Sequence, residues 1–183
     1  MKYRILIAMV AALLAGCASN TIGPERDIND PTSSLVFAYV DMKDAPTSIG
    51  HASLRQAAPK GEEGYWGMTV EDGMLFSQYI PTGSFQLEQF GGSGFWAGDV
   101  RYSFPTYGRN ETAISIKKPG IHFLGAFQYK KVKTGFFEQG KFDVERISSP
   151  SETELLTRIL GMKWGKGTQW EGRIRNRLAE LRK

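Results

Sequence analysis

The chain has 183 residues and a mass of 20.4 kDa; it is 41% hydrophobic, 23% charged and 12% aromatic, with 23 basic and 19 acidic side chains and one cysteine. That apolar content suffices for one globular domain with a real core, and it excludes a disordered chain, a coiled coil and a collagen-like repeat. A single cysteine excludes an intrachain disulfide and any zinc cage built from thiolates.

The chain opens with Met1-Lys2-Tyr3-Arg4, two positive charges, followed by the apolar run Ile5 to Leu14. That run is too short to span a bilayer as a helix and reads as an export signal. It closes on Leu14-Ala15-Gly16-Cys17, which resembles the lipobox of bacterial lipoproteins. The resemblance implies that residues 1–16 are a cleaved signal peptide and that Leu14, Ala15 and Gly16 are read by the processing peptidase. Cys17 becomes the mature N-terminus, its thiol joined to diacylglycerol. Each buried methylene contributes about 0.8 kcal/mol, so two or three acyl chains hold a protein durably where one would not. The alternative is an ordinary cleaved signal followed by an incidental cysteine. Ala18 and Ser19 are not acidic, and in enteric-type bacteria an aspartate directly after the cysteine favours inner-membrane retention. The destination implied by the resemblance is therefore the outer membrane, facing the periplasm. Removal of Lys2 and Arg4 lowers the formal charge from +4 to +2, too weak a balance for nucleic acid to be an expected partner.

Residues 17–34 are polar and punctuated by Gly23, Pro24 and Pro31. They read as a lipidated N-terminus and flexible tether, whose root-mean-square span would be about 20–25 Å. From Leu35 the pattern changes to short runs of aromatic and β-branched residues separated by Gly, Pro and Asp, which predicts strands. They fall at Leu35–Asp41, Ile49–Gln56, Tyr65–Val70, Met74–Ile80, Ser84–Phe90, Val100–Phe104, Thr112–Lys117, Ile121–Val132 and Lys141–Ile147. Alternation such as Phe85-Gln86-Leu87-Glu88 gives one buried and one wet face. Glu71-Asp72-Gly73 and Pro81-Thr82-Gly83 supply turn chemistry on either side of Met74–Ile80.

After Pro150 the period changes. Ser151-Glu152-Thr153-Glu154 is a capping-box signal, and Leu155, Leu156, Ile159 and Leu160 follow at helical spacing. Thr168-Gln169-Trp170-Glu171 repeats the signal, with Trp170, Ile174, Leu178 and Leu181 as one stripe. Two short helices are predicted, joined by the turn Trp164-Gly165-Lys166-Gly167. The fold expected is mainly β: an antiparallel β-sandwich of eight or nine strands over residues 35–150, with a two-helix appendage over 151–183 packed on it.

Three segments resemble a loose set of bacterial lipoproteins with a sandwich of prealbumin or carboxypeptidase-regulatory type. They are Met74 to Leu87, read as a strand-Pro-x-Gly-strand hairpin; Lys118 to Gly125, a second such element; and Gly167-Thr168-Gln169-Trp170, a recurrent tail. The likeness spans residues 35–183 and implies fold and location. It carries no catalytic residues.

Other constellations bear on chemistry. Gly135 to Lys141 has the spacing of a phosphate loop, but Phe142 stands where a magnesium-binding hydroxyl is required. A predicted strand follows instead of a helix, so no nucleotide is expected. Gly92 to Ala97 imitates a dinucleotide fingerprint without the βαβ unit that gives it meaning. His51 and His122 are the two imidazoles, each in a predicted strand and neither beside a nucleophile elbow. Asp41, Asp44, Asp72, Asp99 and Glu111 read as solvated turn residues. Within Phe90 to Asp99 the glycines and Ser93 suggest a mobile loop that presents Phe95 and Trp96 for partner binding, or a sheet connection whose aromatics fold back on the core. Arg173, Arg175, Arg177 and Arg182 face lipid or partner, or simply solvent.

Together these features point to an outer-membrane-anchored, periplasm-facing lipoprotein, a non-catalytic interaction or assembly module of the cell envelope. Its expected partners are the bilayer, through acylated Cys17, and an envelope protein; no cofactor and no metal is expected. A carrier for an apolar small ligand inside the sandwich is the runner-up, and an envelope hydrolase is third.

Overall fold

Nine strands and two helices occur in the expected chain order in a computed structural model, which describes residues 27–45, 47–59, 64–94, 98–103, 112–131 and 142–183. The strands are β1 (Ser34–Asp41), β2 (His51–Ala58), β3 (Gly64–Glu71), β4 (Met74–Ile80), β5 (Gly83–Gly94), β6 (Gly98–Ser103), β7 (Ala113–Ile116), β8 (Ile121–Lys131) and β9 (Phe142–Ile147). The helices are α1 (Glu152–Gly161) and α2 (Gln169–Glu180), with a short 3-10 turn at Lys163–Gly165 between them.

The sheet order is β6-β5-β2-β3-β4-β1-β8-β9, with β7 on the same side of β5 as β6. This corrects the antiparallel sandwich. It is one mixed sheet, because β1 and β8 run parallel, Leu35 opposite Ile121 through Asp41 opposite Gln128. The sheet bends at β3, whose Gly64–Met68 pair with β2 while Thr69–Glu71 pair with β4. The two halves thus curl toward each other into a half-barrel that shares one core. Leu54, Phe85, Leu87, Phe90 and Phe127 fill that concave side. Tyr102 of β6 meets Tyr129 of β8 at 5.4 Å, although the two strands lie near opposite ends of the sheet.

The physical reason for the mixed sheet lies in β1. Val36, Ala38 and Val40 enter the concave core, while Leu35 and Phe37 enter a second cluster beneath the helices, so neither face is wet. A strand covered on both faces reads as a continuous apolar run and belongs at the centre of a sheet. The second layer consists of Leu155, Leu156 and Ile159 of α1 and Trp170, Ile174 and Leu178 of α2, packed on Leu35, Phe37, Met74 and Phe76. Trp164 stacks on Phe76 at 5.2 Å. Leu181, expected in the α2 stripe, lies past the last helical residue and is exposed.

Local signals behave as their chemistry requires. Asp72 and Gly73 adopt φ 47° and 77°, and Glu71 pairs with Met74, giving the two-residue hairpin that Asp-Gly favours. Pro81-Thr82-Gly83 does not make a hairpin: β4 already has β3 and β1 as neighbours, so β5 must leave for β2. Gly83, at φ 152°, is the corner of that crossing, and a Cβ there would stand 2.6 Å from the Ala58 carbonyl oxygen. The Lys118 to Gly125 element is likewise a crossing, since β7 pairs with β5 and β8 with β1 and β9. Ser151 caps α1 in a complete capping box with Glu154. At α2 the box is partial: Thr168 accepts from Trp170 N, but Glu171 accepts from Gly167 N.

Candidate functional site

A dense set of polar contacts among the described residues joins residues 27–33 to α2. The first backbone N–H groups of a helix lack partners inside it. In α2 the Gln169 N–H is spent on Asn29 Oδ1 at 3.0 Å. The Gln169 side chain goes further, donating from Nε2 to the carbonyls of Ile28 at 2.9 Å and Asp30 at 2.8 Å. One turn later Arg173 Nη1 donates to the Ser33 carbonyl at 3.2 Å and to Gln169 Oε1 at 3.3 Å. The same guanidinium lies 4.7 Å from the ring centre of buried Trp170.

The held segment is itself folded. Asp27 accepts from Asn29 N at 2.8 Å, and Asp30 accepts from Thr32 N at 2.8 Å and Thr32 Oγ1 at 2.7 Å. Those bonds from Thr32 hold the Asp30 carboxyl below its ordinary value. Ile28 packs on the helical cluster, and Leu35 N donates to the Gly120 carbonyl at 2.9 Å, which ties the segment to the start of β8. Residues 27–33, expected within the flexible tether, are therefore fastened to α2. The motif Gly167-Thr168-Gln169-Trp170 thus supplies an N-cap, a clamp and a core anchor in successive residues.

The basic face of α2 is largely engaged. Arg177 pairs with Glu152 of α1 at 2.8 Å and with Glu180 at 3.2 Å, and Arg175 pairs with Glu171 at 2.9 Å. Arg173 is spent on Ser33, and Arg175 and Arg182 are the exposed members of that group.

Cys17 and its recognition residues Leu14, Ala15 and Gly16 lie outside the described residues, as do Phe95 and Trp96. The segments on either side of Phe95 and Trp96 are strand. Gly91 to Gly94 belong to β5 and Gly98 and Asp99 to β6, with Gly91 opposite Arg101 and Gly94 opposite Gly98. The glycines answer a close approach: a Cβ on Gly91 would sit 2.2 Å from the Val100 carbonyl oxygen, and one on Gly92 would sit 2.1 Å from that of Ser48. Residues 132–141, which include most of the phosphate-loop look-alike, are also outside the described residues; Phe142 begins β9, a strand.

His51 is exposed at the start of β2. His122 is half-buried in β8, its Nε2 makes no hydrogen bond, and burial pushes the imidazole below its ordinary value. Among the described residues no three His, Cys, Asp or Glu side chains converge on a metal-sized site. Asp41 accepts from Lys43 N, and Asp72 is a turn residue 4.0 Å from Arg158. On the solvent-side face of β2, Ser53 and Arg55 alternate with buried Ala52, Leu54 and Gln56. Arg55 pairs with Glu88 at 3.2 Å, but among the described residues Ser53 Oγ has no hydrogen-bond partner and so no base set against it. Beside them is an open depression of about 280 Å³ lined chiefly by the small or polar Ala57, Ser84, Gln86, Ala113 and Ser115. Burial pushes the Tyr102 hydroxyl up to about 12, a core property rather than a reactive one.

Compared with known protein families, curated proteins and solved structures, the chain matches none.

Proposed function

We propose that this protein is a lipoprotein of the outer membrane, anchored through acylated Cys17 and facing the periplasm, and that its domain is a non-catalytic docking module for another envelope component. The observation that carries the reading is the sequence Met1 to Cys17: a basic start, an apolar run of export length and small residues before the only cysteine. Several acyl chains on that residue make a durable anchor. The domain's own construction supports a docking role over a carrier or a hydrolase. Its concave side is filled by large side chains, and the described hydroxyl and imidazole groups are not arranged as nucleophile and base.

Labelling cells with palmitate tests the anchor. Wild-type protein should take up label and run as the processed form, whereas Cys17→Ser should stay unlabelled and unprocessed; equal labelling of both overturns the lipoprotein reading. Docking is tested by cross-linking in native membranes, comparing wild type with a Phe95→Ser, Trp96→Ser double variant of unchanged melting temperature. Interface energy concentrates in a few aromatic residues, so the double variant should lose its cross-linked species. An unchanged cross-link pattern removes those two residues from the account.

A further inference from the structure

We infer that the face carrying the α1–α2 turn, with Lys163 and Lys166, rests against the phosphate headgroups of the bilayer that holds the anchor. This deepens the lipoprotein reading and rests on it. The argument starts from chain length. From Cys17 to Asp27 there are ten residue steps, so the anchor reaches at most about 33–36 Å from the point where the fastened segment begins. Without the fastening the free chain would run to Ser34, a reach of about 56–61 Å.

Size decides what those reaches permit. The 157 residues from Asp27 onward correspond to a radius of gyration of about 15 Å, hence a sphere roughly 39 Å across with a half-circumference of about 60 Å. An unfastened chain is long enough to wrap half-way round and turn any face of the domain to the bilayer. A fastened one reaches little more than a quarter of the way round, so the side of the domain opposite its exit is held off the membrane and the face around the exit is favoured.

That exit is set by Gln169, which holds Ile28, Asn29 and Asp30. Lys163 and Lys166 precede Gln169 by six and three residues, and both are exposed. Of the acids at this end, Glu171 pairs with Arg175 and also attracts Lys166, Asp30 is held by Thr32 and Ser33, and Asp27 is exposed at the exit itself. Two exposed ammonium groups close in sequence to the exit can meet a phosphate surface, and each lysine near anionic lipid contributes about 1 kcal/mol. Lys131 provides the contrast, because it ends β8 ten residues beyond Ile121, about 33 Å along the strand.

The test supplies the anchor chemically, so its outcome is separate from that of palmitate labelling in cells. Protein comprising residues 17–183 is coupled through the Cys17 thiol to vesicles of phosphatidylcholine and phosphatidylglycerol containing a trace of maleimide-headgroup lipid. Lysines are then modified with a membrane-impermeant amine reagent and read by mass spectrometry. Lys163 and Lys166 should react about fivefold more slowly than in the uncoupled protein, the equivalent of 1 kcal/mol each, with Lys131 unchanged. Gln169→Ala, which removes the side-chain bonds to Ile28 and Asp30, should reduce that protection at least twofold while unfolding stays cooperative. Should that variant fail to fold, Asn29→Ala removes one clamp bond at an exposed site and should weaken the protection. Equal reactivity of Lys163 and Lys166 on and off the vesicle, or protection shifted to Lys131, overturns the inference.

Discussion

Trp170 is the residue on which the helical layer stands, and replacing it with alanine measures how firmly that layer is docked. The indole is fully buried among Leu35, Phe37, Met74 and Phe76 of the sheet and Leu155, Leu156 and Ile159 of α1. Removing a large core aromatic costs about 3–5 kcal/mol, a lost transfer energy plus the cavity left behind. For a domain of this size each kcal/mol moves the melting temperature by about 2–4 °C, so Trp170→Ala should melt about 6–20 °C below wild type. The Arg173 guanidinium over the ring adds a smaller loss and frees a side chain that also holds Ser33.

Two further variants sharpen the reading. Trp170→Phe keeps most of the ring and deletes an indole Nε1 that has no hydrogen-bond partner, so its cost should be well under half that of alanine. Arg175→Ala removes only an exposed pair with Glu171, one turn away on the same helix, and should cost no more than about 0.5 kcal/mol. The assay is thermal unfolding by near-ultraviolet circular dichroism, with urea midpoints as a second measure. Equal and small shifts for Trp170→Ala and Arg175→Ala would refute the docked layer.

Stability should also depend on pH through His122. Burial lowers its folded pKa beneath the ordinary 6.5, so the unfolded chain binds the extra proton first. Stability is complete above about pH 6.5, declines as pH falls from there to the folded pKa, and then levels off; His122→Asn should flatten that slope in urea titrations between pH 5 and 7. The lowered carboxyls of Glu154 and Glu171 act in a separate window, below their ordinary value of 4.5. Gly92→Ala drives a Cβ into the Ser48 carbonyl and should destabilise by about 2 kcal/mol or more, whereas Gly67→Ala meets nothing within 4 Å and should be neutral or stabilising by about 0.5–1 kcal/mol in the same melts.

The strands were legible because their signals are local. Val36 to Val40, Phe85 to Leu87 and Ile121 to Tyr129 carry the aromatic and β-branched content of strands, and the nine runs lie where that content and its punctuation place them. Their pairing was not, because pairing depends on which edges remain free. Pro81-Thr82-Gly83 has hairpin chemistry, yet with β3 and β1 already beside β4 no edge is left for β5 to join. The parallel β1–β8 pair joins segments about 85 residues apart in the chain, beyond the reach of any local pattern. Its one trace is the unbroken apolar run from Leu35 to Val40, which denies β1 the wet face that a sandwich strand keeps.

The clamp was less legible still, and the reason is chemical. Thr168 to Glu171 has the composition of a capping box, and capping accounts for Thr168. Nothing in the residues around Gln169 announces that its amide binds carbonyls about 140 positions earlier, since an amide at a helix start suits solvent equally well. The helices cover the sheet: without them Leu35, Phe37, Met74 and Phe76 would face water, and Ile28 to Asp30 would lose their partners. Residues 27–33, β1 and α2 therefore form one packed unit.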